Sequence, residues 1–129
     1  KPDRRQRQMC IRDRFNTGTQ MKKYKLDDMK GGWFVGNFEP SVMKADFEVG
    51  IHRHKKGEFH QDHFHKKGTE VNVMRKGKLK LNGEIFEPGD IFILYPYEVS
   101  QVEYLTDVEL TVVRNISDPN DKFMFDIKK

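Results

Sequence analysis

The sequence predicts an all-β protein, a sandwich or barrel built from short strands. From Trp33 onward, aromatic and β-branched runs recur at close intervals with turn residues between them, and no helix-length amphipathic window competes. Size is the third observation: 129 residues leave room for one domain with one core.

Taken in order, "GWFVGNFEP" is aromatic and β-branched and is stopped by Pro40. "ADFEVGIHRH" alternates, with Phe47, Val49 and Ile51 sharing a face. A charged turn at "KKGE" leads into "FHQDHFHK" and then "EVNVMRKG", where Val71 and Val73 alternate with polar partners. "KLKL" and "EIFE" flank Asn82-Gly83, a strong hairpin signal because a type I′ turn needs positive φ at both central residues. Pro88-Gly89-Asp90 marks another turn, and "IFILYPY" is a continuous apolar run, expected to be buried on both faces. "VELTVVRNI" and "KFMFDI" supply the last strands, while "DDMK" and "PSVMKA" are the places for short helical turns. Trp33 and the ten phenylalanines are expected in the core.

Charge is unevenly placed. Residues 1–20 hold six Lys/Arg against two acids, which leaves 18 of each sign in residues 21–129. A neutral body argues against nucleic acid as the partner. The single cysteine, Cys10, is also in the leader, so the body has neither disulfides nor thiolate metal sites. No apolar stretch approaches the ~20 residues of a membrane span. Lacking a secretory signal, the chain is expected to be cytoplasmic. "KPDRRQRQMCIRDR" has no strand or helix period, and "RQMCIRDR" resembles a translated sequencing adapter. Residues 1–20 are therefore expected to be a disordered, non-native leader ahead of a single domain over 21–129, with its core at about 30–116.

Histidine carries the chemistry. His63 and His65 share a strand face, and a turn at Gly68 brings Glu70 back beside them. Two neutral imidazoles and a carboxylate on adjacent strands suit Fe(II), and also Mn, Ni or Zn. His60 is out of phase with the pair and expected to be exposed. His52 and His54 repeat the spacing with no carboxylate at matching distance, and are expected at the surface or lining a barrel.

Gly57-x5-His63-x-His65-x4-Glu70-x6-Gly77 resembles the first motif of the cupin superfamily at every defining position. The resemblance implies a double-stranded β-helix (a jelly-roll barrel), a divalent metal (Fe, Mn, Ni or Zn) at the barrel mouth on His63, His65 and Glu70, and often a homodimer. The second motif departs from pattern: counting from Gly89, Ser100 stands where the fourth ligand, a histidine, is usual. Tyr95, Tyr97 and Tyr104 are expected near the mouth, packed with the hydroxyl at the surface or, facing inward, serving as an acid, a base or a hydrogen-bond donor.

Three functions follow as expectations. The first is a metal and small-molecule binding cupin, such as a dioxygenase. The second is a metal-free isomerase or epimerase of sugar nucleotides, with His63 or His65 as base and Tyr95 or Tyr97 as acid. The third is a sugar-binding module without turnover. A small-molecule ligand and a twin subunit are the expected partners.

Overall fold

The computed structural model describes residues 21–126; the basic leader with Cys10 lies outside the described residues. Two single-turn 3-10 segments, Leu26–Asp28 and Lys30–Gly32, precede ten strands. These are β1 (Trp33–Val35), β2 (Glu48–His54), β3 (His63–Phe64), β4 (Glu70–Lys76), β5 (Leu79–Leu81), β6 (Glu84–Phe86), β7 (Ile91–Leu94), β8 (Val102–Tyr104), β9 (Val108–Arg114) and β10 (Phe123–Met124). The first 3-10 segment falls where "DDMK" allowed a turn; "PSVMKA" carries no helix and bridges Met43 to Val35 instead.

One sheet runs β1-β2-β9-β4-β7, a second β6-β5-β8, and β10 pairs with β3, all antiparallel. The hairpin expected at Asn82-Gly83 joins β5 to β6, with φ of 49° and 85° at its two central residues. At the Pro88-Gly89-Asp90 turn, the Glu87 backbone N–H donates to Asp90 Oδ2 at 2.8 Å.

The two larger sheets close on one apolar cluster. Met74, Leu94, Val108, Leu110 and Val112 come from the five-stranded sheet, and Leu79, Leu81 and Tyr104 from the three-stranded one. Trp33, Phe86, Phe92 and Val102 pack against them. Burying such side chains stabilises the fold by about 1.5–3 kcal/mol each.

The inward face is more polar than the alternation suggests. In β2 it carries Glu48, Gly50, His52 and His54, and in β4 Glu70, Asn72 and Met74. The aliphatic residues of the same strands face out, where register aligns Val49, Val113, Val71 and Ile93 in one row and Ile51, Thr111, Val73 and Ile91 in the next. "IFILYPY" is accordingly not buried on both faces: β7 is an edge strand, and Ile91 and Ile93 are exposed. Nor is every phenylalanine in the core, since Phe59 is 85% exposed on the loop after β2.

Candidate functional site

A cavity of about 800 Å³ opens between the sheets, within the range of small-molecule sites. Its lining includes His52, His54, His60, His63, Glu70 and Arg114. Two polar clusters stand on its wall. They mark opposite ends of β2, since Glu48 lies across from Arg114 and His54 across from Val108. Six residues of strand rise put Glu48 and His54 about 20 Å apart along β2, while His60 and His63, one in each cluster, are three positions apart in the chain.

The first cluster contains the motif residues. His63 and His65 meet edge to face, with ring centroids 5.4 Å apart. β3 itself is short, but the Ser100 N–H donates to the His63 carbonyl at 2.8 Å and the Tyr97 N–H to the His65 carbonyl at 2.6 Å. These bonds extend the pairing and set Ser100 opposite His63. The turn that returns the chain to Glu70 is held from the C-terminal segment. There the buried carboxylate of Asp121 accepts the backbone N–H groups of Lys66 at 2.8 Å, Lys67 at 3.1 Å and Gly68 at 2.8 Å. Burial alone would raise the Asp121 carboxyl; those backbone donors outweigh it and hold it below the ordinary range.

Arg114 sits among the motif donors. The register places it directly between Glu48 and Glu70 on neighbouring strands. Its Nε donates to Glu70 Oε1 at 3.0 Å, its Nη1 to Glu48 Oε1 at 3.4 Å, and its Nη2 to Nε2 of His65. Asn72 Nδ2 takes the other Glu70 oxygen at 3.1 Å. The Trp33 ring, 5.5 Å away, covers the guanidinium.

Electrostatics follow from this packing. Burial would raise Glu70, but the Arg114 charge and the Asn72 and Arg114 hydrogen bonds prevail and lower it. At Glu48 burial prevails and the carboxyl is raised. His65 falls to about 4 through burial and then the Arg114 charge, so it is neutral and accepts the Arg114 hydrogen. Burial also lowers His63, whose Nδ1–H donates to the Gln61 carbonyl at 3.2 Å and leaves Nε2 with a free lone pair. As arranged, this set does not suit a divalent cation, because a guanidinium already uses both Glu70 and His65.

The second cluster pairs His54, Glu58 and His60, whose ligand-capable atoms all lie within 4.8 Å of one another. His54 Nδ1–H donates to Glu58 Oε2 at 2.6 Å, and His60 Nε2–H donates to the same oxygen. The geometry comes from the turn after β2: Gly57 has φ of 73°, and the Glu58 N–H donates to the Lys55 carbonyl at 3.0 Å. In return the Lys55 N–H donates to Glu58 Oε1 at 3.3 Å. The Tyr104 ring stacks on His54 at 4.4 Å and meets His60 at 5.4 Å. The His60 hydrogen bond, before that of His54, holds the Glu58 carboxyl at about 2, while burial lowers His54. Burial takes His52, whose ring lies 5.9 Å from that of His54, down to about 4, and its buried Nε2 has no hydrogen-bond partner among the described residues.

The sequence reading of these residues needs correcting. His60 is half-buried rather than exposed, because it sits on a loop outside β3 and strand phase does not apply to it. His54 does have a carboxylate partner, four residues on, reached by a turn rather than along a strand. Tyr95 and Tyr97 are 56% and 65% exposed, and among the described residues the cavity lining includes neither; Tyr104 is the tyrosine it includes. Arg114 and Glu48 were missed. The available signal was that Arg114 is in phase with Val108, Leu110 and Val112, and Glu48 with Gly50, His52 and His54.

No protein-family model matches the chain, and no curated protein does. Solved structures do. A Klebsiella pneumoniae protein with a double-stranded β-helix domain aligns at 18% identity and a TM-score of 0.56, over 82% of this chain and 93% of that one. A Planctomyces limnophilus protein aligns at 12% identity and 0.57, over 81% and 97%. A cupin protein from Bacteroides fragilis aligns at 18% identity and 0.48, over 59% and 70%. At such identities the likeness is one of fold: the chain has a double-stranded β-helix architecture.

Proposed function

We propose that the barrel binds a small, neutral, oxygen-rich molecule such as a sugar. One observation carries this reading. The Glu48–Arg114–Glu70 row sets one guanidinium between two carboxylates at one end of an 800 Å³ cavity, which leaves no surplus positive charge to hold an anion and presents donors and acceptors suited to hydroxyl groups. The His63 imidazole, lining the same cavity, adds a free acceptor. Calorimetry and thermal shift on chelator-treated protein, with neutral sugars and polyols beside small carboxylates, test it. A sugar or polyol should bind, and His63→Ala should weaken it about tenfold, the worth of one hydrogen bond to a ligand. A panel in which no neutral compound binds overturns the reading.

A divalent metal on His63, His65 and Glu70, with dioxygenase-type chemistry, is the second reading. The His63 tautomer favours it, since ligating histidines usually donate their other N–H to a carbonyl. It requires Arg114 to leave both Glu70 and His65. Metal analysis of protein purified without a histidine tag tests it, and stoichiometric iron, manganese, nickel or zinc lost in His63→Ala is the supporting result.

The expected twin subunit remains part of the proposal. Outward-facing Ile91, Ile93 and Val113, 62%, 42% and 39% exposed, form an apolar sheet face that a second copy would cover.

A further inference from the structure

We propose that His54, Glu58 and His60 form a binding site for a first-row divalent metal, at the end of β2 opposite Glu48. Nothing in the first-motif pattern points to these residues, and this site goes beyond the sugar-binding reading.

The donor set comes first. Two imidazole nitrogens and one carboxylate oxygen, all within 4.8 Å of one another, are the ligand types and number that zinc, cobalt, nickel or iron accept. Magnesium and calcium, which take oxygen ligands, are disfavoured by the two nitrogens. Both rings aim at a single oxygen, Oε2 of Glu58. An ion with bonds of about 2.0–2.2 Å needs only a small outward shift of these atoms.

The set is also held from outside. Glu58 Oε1 is fixed by the Lys55 N–H, and the turn carrying it by the Gly57 N–H bonded to the Tyr104 carbonyl at 2.9 Å and the Lys56 N–H bonded to Asp107 Oδ1 at 2.9 Å. Tyr104 restrains both imidazole planes. Support of this kind, from residues that do not themselves bind the ion, is how ligating side chains are oriented.

All three residues line the cavity, so a bound ion keeps coordination positions facing the ligand space. The Nε2 of His52, without a hydrogen-bond partner among the described residues, lies along the same wall. An ion here would present a water, or an oxygen of the cavity ligand, toward the cavity.

Chelator-stripped, tag-free full-length protein is titrated with Co(II) alone, followed by its visible absorption and by calorimetry. The expected result is a single equivalent bound, with affinity about 100-fold weaker in Glu58→Gln and His60→Ala and unchanged in His63→Ala. Glu58→Gln keeps the shape of the side chain and His60 lies on a loop; circular dichroism of both variants checks the fold. No Co(II) binding, wild-type affinity in either Glu58→Gln or His60→Ala, or binding lost in His63→Ala overturns the proposal, the last in favour of the motif site. Sugar binding is measured without metal, so either proposal can fail alone.

Discussion

Arg114 donates from Nε to Oε1 of Glu70 at 3.0 Å, across adjacent strands, with both side chains largely buried. The contact joins a residue of an apolar-looking strand to the carboxylate of the Gly57–Gly77 motif. Replacing Arg114 by Met removes the shared partner of Glu48 and Glu70 and leaves two carboxylates facing an empty position. Stability to urea should fall by about 3 kcal/mol at pH 7, the scale of breaking a buried pair from one side. Adding Glu48→Gln should recover part of that loss, because it removes one of the stranded charges.

The same contact governs the motif site. In a Glu58→Gln background, Ser100→His alone should add no Co(II) binding, because Arg114 still holds Glu70 and His65. Ser100→His with Arg114→Met should bind Co(II), since position 100 faces His63. Titration followed by visible absorption reads the difference, and equal binding by the two variants would separate Arg114 from control of the site.

Asp121 organises the motif turn from outside it. Asp121→Ala strands backbone N–H groups of Lys66, Lys67 and Gly68, at an expected cost of about 2 kcal/mol. Asp121→Asn keeps an acceptor and should lose less. Chemical denaturation ranks the two, and hydrogen exchange at Gly68 should quicken in the alanine variant.

Acid should destabilise the barrel through its buried imidazoles. His52 titrates near 4 in the fold against 6.5 in the free side chain. Between those values the unfolded chain holds more protons, so stability falls as pH drops from about 6.5 to about 4. The loss from His52 is on the order of 3 kcal/mol. Melting temperatures in chelator should trace this fall, and His52→Phe should flatten it. The flattening is partial because His65 titrates in the same window.

Twin-subunit contact through the outer sheet predicts a concentration-dependent mass. Ile93→Lys combined with Val113→Lys should yield monomer by light scattering while the melting temperature of the isolated chain changes little. A wild type that stays monomeric at high concentration would remove the dimer from the account.

Local chemistry was legible in the chain. Asn82-Gly83 can hardly be anything but a tight hairpin, and Pro88-Gly89-Asp90 closes on its own aspartate. Alternation placed most strands, and the spacing of His63, His65 and Glu70 announced one barrel wall. Those signals lie within a few residues of one another, where backbone sterics and strand phase decide the outcome. Which face of β2 and β4 turns inward was a different matter: alternation put the valines on one face without saying which, and the polar alternates line the cavity because they pair with the inward Leu110 and Val112 of β9.

Tertiary structure alone decided the site. Arg114 reaches Glu70 from 44 positions away and Glu48 from 66, so its role depends on the register of three strands at once. Asp121 reaches its turn from 53 positions beyond Gly68. Even the short-range pair His54 and Glu58 needed a positive-φ turn at Gly57, and Tyr104 from the opposite sheet, before imidazoles and carboxylate met. Residue types and spacing specify strands and turns; contacts between strands remote in sequence exist only once the barrel has closed.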